Sequence, residues 1–144
     1  MTRAGLKYKF LSHTGDAKFQ AFGKTMEDAF QNAALALTSI MWNPAEIDDK
    51  NEETIHVSGK DKEQLLVTFL EEILYLWEGR QFMLSSCRRI SIISNEDGYQ
   101  LEAVISGDSR KDTYELSGDV KAVTYHDMEI KQNKHWTVQV VVDI

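Results

Sequence analysis

Apolar and polar positions along the chain change period several times, and each change marks an element. The stretches "KYKFLSH" and "AKFQAFG" read as two short strands, the second alternating Ala17, Phe19 and Ala21 with Lys18 and Gln20. From Thr25 the spacing becomes helical, with Met26, Ala29, Phe30, Ala33, Ala34 and Leu37 on one face. Thr25 is placed to cap that helix, Asp28 stands three residues on as the acid of a capping box, and Asn43-Pro44 predicts its end. A polar, acidic loop "NPAEIDDKNEE" follows, then an edge strand in "ETIHVSG". A second helix is predicted over 61–78, where Leu65, Leu66, Phe69, Leu70, Ile73, Leu74 and Trp77 form a broad face and Gly79 sits at the C′ position.

The remainder reads as strands. "RRISIIS", the turn "NEDG" and "YQLEAVI" predict a hairpin, and Tyr99, Leu101, Ala103 and Ile105 alternate with Gln100 and Glu102. "GDSRKDTYELSGD" is loop-like with a local turn or short strand near Tyr114, and "KAVTYHDMEI" and "HWTVQVVVDI" form a closing antiparallel pair joined through "KQNK". No internal repeat, low-complexity tract or linker is visible in the sequence. The expectation is one α+β domain over residues 1–144, with two amphipathic helices packed on one face of a mostly antiparallel sheet in two layers.

Composition narrows the function. With 23 acidic against 16 basic residues, a net charge of -7 would repel a phosphate backbone, so direct nucleic-acid binding is disfavoured. A single cysteine, Cys87, excludes an intrachain disulfide and a cysteine-rich zinc cage, and fits a reducing compartment, cytoplasm or nucleus. No apolar run approaches the roughly 18 residues of a membrane span, and "MTRAGLKYKF" lacks a signal peptide's apolar stretch. A soluble protein with no membrane partner is expected.

"HTGD", residues 13–16, raises the question of chemistry. Strand parity puts Asp16 with Lys18 and Gln20, and Asp143 with Thr137, Gln139 and Val141, both opposite the apolar face. Asp143 is the penultimate residue, so its side chain and the terminal carboxylate of Ile144 together offer up to four oxygens. If the last strand lies near the first, Asp16 adds a third carboxylate, and the all-oxygen set suits Ca²⁺, Mg²⁺ or Mn²⁺ rather than zinc. His13 could add a nitrogen or orient a ligand from behind. The plain alternative is turn residues and a frayed acidic end, and spacing alone favours it. Phosphate-binding glycine loops, HExxH, CxxC and GxSxG are all absent. Cys87 reads as inert packing, His56 and His135 as solvent-facing strand residues, and Lys121 as a solvated strand end; His126 in "KAVTYH" is a better candidate for a specific role.

"FLSHTGDAKFQAFGKTMEDAFQNAALAL", "LLVTFLEEILYLWE", "KAVTYHDMEI" and the ending "VVVDI", taken in order, resemble the archease family, the small activators of RtcB-type tRNA-splicing ligases. Gly15 stands where the family often has alanine, and "AKFQA" replaces a more apolar stretch; neither touches a proposed ligand. The resemblance implies a non-catalytic protein cofactor that promotes guanylylation of the ligase by GTP and so permits multiple turnover in tRNA splicing and RNA repair. It implies a divalent cation, calcium in the family, held by Asp16, Asp143 and the terminal carboxylate of Ile144. Its partner would be the ligase, with GTP and RNA met only through it, and His13, Lys121 and His126 are candidates to brace the site or touch that partner. Two readings compete. A stand-alone metal-dependent hydrolase or nucleotide-binding enzyme needs a base or nucleophile, for which only His13 and His126 are on offer, and a chaperone-like binding module needs a large exposed apolar patch.

Overall fold

The computed structural model of the chain describes residues 5–12 and 15–144. Its elements run β1 (Tyr8–Leu11), β2 (Ala17–Gly23), α1 (Met26–Ser39), a short 3-10 turn (Pro44–Glu46), β3 (Asn51–Gly59), α2 (Lys62–Arg80), β4 (Phe82–Asn95), β5 (Gly98–Ser109), β6 (Ala122–Gln132) and β7 (Trp136–Asp143). The strands form two antiparallel sheets, ordered β1-β2-β7-β6 and β3-β5-β4. Against them lie the two helices, α1 on β2 and β7 and reaching β4, α2 on β3, β4 and β5 and reaching β6. The expected α+β arrangement is present, with the sheet layer divided in two.

Local signals explain most boundaries. Thr25 caps α1, its hydroxyl accepting from the Asp28 N–H at 3.0 Å, and Asp61 caps α2 through Gln64 N–H at 2.8 Å. The structure corrects two helix ends. α1 stops at Ser39, ahead of Asn43-Pro44, and its last turn carries the Thr38 and Ser39 hydroxyls donating to the carbonyls of Leu35 and Ala36. The chain then turns inward so that Trp42, 1% exposed, donates its indole N–H to the Leu84 carbonyl. α2 passes through Gly79, against which the Tyr75 ring packs, and Gln81 takes the left-handed cap instead, φ 55°, its N–H bonded to the Leu76 and Trp77 carbonyls. β4 starts far earlier than its alternation suggests, since Phe82, Met83 and Leu84 are all buried and bulges then reset its register.

The repeat that the sequence does not display is present in the topology. A strand ending in Gly-Lys, a capped helix, and a hairpin whose second strand pairs with the first occur twice, as β2-α1 with β6-β7 and as β3-α2 with β5-β4. Gly23 and Gly59 hold the same place in the two halves: a Cβ on either would collide with the backbone nitrogen six residues on, that of Ala29 or Leu65. Gly23 faces Trp136 across its ladder and Gly59 faces Tyr99. Lys62 joins the halves, its Nζ lying 6.0 Å from the Tyr99 ring and 5.6 Å from the Trp136 ring. Between helices and sheets runs one core, in which Phe19, Phe30, Leu37, Leu66, Phe69, Leu70, Ile105 and Val140 are fully buried.

Candidate functional site

Pairing brings the two ends of the chain together. β2 and β7 run antiparallel in the register Lys18 to Val141 and Ala17 to Val142, so Asp16 immediately precedes and Asp143 immediately follows the last pair. On the other flank of β7, Asp143 faces Ala122, and the Lys121 backbone N–H donates to the Asp143 carbonyl at 2.7 Å. One sheet end thus gathers Asp16, Asp143, Lys121 and the terminal Ile144. Asp16 is half-buried, whereas Asp143, Lys121 and Ile144 are exposed. Gly15, at φ 80°, turns the chain into Asp16 in a backbone conformation natural to glycine.

Among the described residues no three His, Cys, Asp or Glu side chains cluster closely enough to hold a metal ion. A cation here would instead use the side chains of Asp16 and Asp143 with the carboxylate of Ile144, which is backbone. The donor set fits a hard cation, because every available atom is oxygen and two of the three groups are open to solvent. His13 lies outside the described residues.

His126 falls on neither a regular strand nor the carboxylate end. β6 breaks its pairing after Thr124, which faces Val141, and resumes at Glu129, which faces Gln139. His126 is exposed in the resulting bulge, its Nε2 3.5 Å from an Asp127 carboxylate oxygen that also lies 3.6 Å from Lys18 Nζ. Gln139, expected on a solvated face, is 6% exposed. The bulge covers it: its amide nitrogen donates to the Asp127 carbonyl at 2.8 Å, and its oxygen accepts from Gln20 at 2.9 Å. In the sequence the only trace of this network is a glutamine within a run of valines.

A second polar cluster supports the loop ahead of Lys121. Asp108, 3% exposed, accepts from the Tyr114 hydroxyl at 2.6 Å and from Lys111 Nζ at 2.9 Å. The Tyr114 hydroxyl, aided by the Lys111 ammonium, holds the Asp108 carboxyl down at about 2. Further on, the Ser117 N–H donates to the Met41 carbonyl at 2.8 Å and Val120 is buried, so the chain reaches Lys121 along a fixed path. No sequence signal marked Asp108, which sits where a loop was expected and proves to be the penultimate residue of β5.

The remaining candidates separate from this end. Cys87 is half-buried, and desolvation pushes its thiol up to about 11. His56 is exposed as expected; His135 instead packs edge-on against Phe22, ring centres 6.2 Å apart. A polar cleft of about 430 Å³, lined by Lys60, Gln64, Asp97 and Tyr99 among others, lies at the opposite, Trp136 end and carries neither His nor Cys. Exposed large apolar side chains are dispersed over β1, α2, β4, β6 and the loops. Among the described residues no helix is long and apolar enough to cross a membrane.

Comparison with known proteins agrees with this architecture. The model of the archease protein family (MTH1598/TM1083) matches residues 8–144. The protein archease of Methanosarcina mazei is 35% identical over the whole of both chains, and that of Pyrobaculum neutrophilum is 38% identical over 95% of each. Among solved structures, the solution structure of Methanobacterium thermoautotrophicum protein 1598 superposes with a TM-score of 0.82 at 29% identity, covering 95% of this chain and 98% of the other. The chain belongs to the archease family.

Proposed function

We propose that this protein is a non-catalytic activator of an RtcB-type RNA ligase, promoting guanylylation of that enzyme by GTP in tRNA splicing and RNA repair, and that its carboxylate end holds a divalent cation, Ca²⁺ by preference. The observation that carries the reading is the β2-β7 register, which brings Asp16 and Asp143 to flank one ladder pair with the chain terminus beside them. Membership of the archease family supports that choice of partner class. Bound there, the ion would concentrate positive charge between acids that otherwise repel one another.

Physical considerations favour an accessory role. The polar cleft at the Trp136 end is lined by neither His nor Cys, and the carboxylate end offers oxygens rather than a nucleophile. Lys121, anchored by its backbone to Asp143, carries an exposed side chain that can reach a partner or brace the carboxylates. The net charge of -7 suits docking on a basic protein surface and opposes docking on RNA. Once docked, the protein would favour the ligase conformer competent to attack GTP.

The test measures ligase guanylylation and strand joining with and without this protein, and with Asp16→Asn and Asp143→Asn. Stimulation by the wild type, loss of it in both variants, and no GTP turnover by the protein alone are expected. GTP hydrolysis without the ligase would replace this reading with that of a metal-dependent enzyme.

A further inference from the structure

The bulge in β6 is larger than strand pairing alone explains. Between Thr124 and Glu129 the strand carries four residues, 125–128, against the single Val140 of β7, where an ordinary bulge has one extra residue. Asp127 sits at φ 51°, a left-handed conformation that non-glycine residues adopt at an energetic cost and retain only when their surroundings enforce it.

Those surroundings are specific. Buried Gln139 holds the Asp127 carbonyl and is itself held by Gln20. Lys18, its side chain only 20% exposed, pairs with the Asp127 carboxylate. The Thr124 hydroxyl donates to the Val141 carbonyl at 2.8 Å and accepts from the His126 N–H at 3.3 Å. Buried Gln139, half-buried Gln20 and a mostly buried lysine therefore fix a segment in which Met128 packs against the core while Tyr125 and His126 turn outward: Tyr125 is 55% exposed and the His126 side chain 66%. Tyr125 faces α2, and partial desolvation, followed by the charges of Glu71 and Asp61, holds its phenol up. Tyr75, one turn beyond Glu71, is 60% exposed.

Position gives the bulge its meaning. Tyr125 is three residues from Ala122, which faces Asp143, so it lies about 10 Å along the strand from the carboxylate end. A rigid, exposed tyrosine beside a histidine is the type of group that anchors protein interfaces. Around it the acids Asp127, Glu71, Asp143 and Asp16 outnumber the two lysines, Lys18 paired with Asp127 and Lys121 beside Asp143.

We propose that the β6 bulge is the platform by which this protein grips its ligase, Tyr125 and His126 entering a recess on a basic face of that partner next to the carboxylate end. The inference rests on the function proposed above. Complementary charge selects a basic protein surface and disfavours RNA.

The experiment titrates the purified ligase with wild type, Tyr125→Ala, His126→Ala and, as a distant surface control on β4, Ile93→Ser. Calorimetric affinity, guanylylation and the calcium-dependent shift in Tm are read for each. Tyr125→Ala is expected to weaken binding by about tenfold or more and His126→Ala by about threefold to tenfold, with stimulation recovered at saturating protein. Melting behaviour and calcium response should match the wild type, and Ile93→Ser should bind normally. Wild-type affinity in both bulge variants would overturn the platform while leaving the activator reading intact. A wild-type protein that neither binds nor stimulates the ligase would overturn both, and binding of a tRNA-derived RNA through Tyr125 without the ligase would replace the proposed partner.

Discussion

The backbone N–H of Lys121 donates to the carbonyl of Asp143 at 2.7 Å, tying the start of β6 to the last residue of β7. That bond fixes the C-terminal strand between two neighbours, β2 on one side and β6 on the other. A penultimate residue would ordinarily fray. Here Asp143 is held on its β6 side.

Cation binding should therefore be visible in stability. With free Ca²⁺ at one hundred times its Kd, the wild type should gain about 2.7 kcal/mol, read as a rise in Tm or in the urea midpoint. Asp16→Asn and Asp143→Asn should lose most of that gain while keeping the apo Tm close to that of the wild type, since neither side chain lies in the core. Equal calcium responses in all three proteins would remove these residues from the site.

Acid should weaken the fold through Asp108. Its carboxyl titrates at about 2 when folded, against an ordinary value near 3.8, so the folded state binds fewer protons between those values. The stability it contributes is complete above about pH 4 and disappears as pH falls through about 2. Urea midpoints from pH 5 to pH 2 should fall more steeply for wild type than for Asp108→Asn, and the gap between them should close at the acid end. Tyr114→Phe, which removes the bond that most lowers that carboxyl, should lower the midpoint at neutral pH and flatten the acid slope as well.

Gly59→Ala probes the strand-to-helix junction used in both halves. A methyl group there meets the backbone nitrogen of Leu65, and rigid backbone cannot yield as a side-chain tip can. A loss of about 1–3 kcal/mol is expected by chemical denaturation. Gly23→Ala should cost a similar amount through Ala29. A neutral result in either would show that the helix start can shift without loss.

Cys87 should react slowly. With its thiol at about 11, roughly one molecule in a thousand carries thiolate at pH 8. Iodoacetamide labelling of the native protein should lag far behind labelling in urea, and a native rate equal to that of a free thiol would show the half-buried setting to be open.

Much of this was legible before the fold was known. Alternation located β2, β5 and β7, helical spacing located both helices, and Thr25 declared the start of the first, because each signal lies within a few consecutive residues. The parity argument put Asp16 and Asp143 off the apolar face for the same local reason, and both do lie outside the core. Signals that compete locally misled: Gly79 suits a helix end, yet the packing of Tyr75 over it and the left-handed turn at Gln81 carry the helix further.

What residue order alone determined was which segments become helices and strands and which of their faces turn inward, since those follow from side-chain period and the reach of one or two turns. Only the tertiary structure decided that residues 16 and 143 flank the same ladder pair, that Gln139 is sealed beneath a four-residue bulge, and that Asp108 is buried with Tyr114. Each of these joins groups through strand register or a loop crossing, and register is chosen by the packing of the whole sheet rather than by the residues that end up in contact.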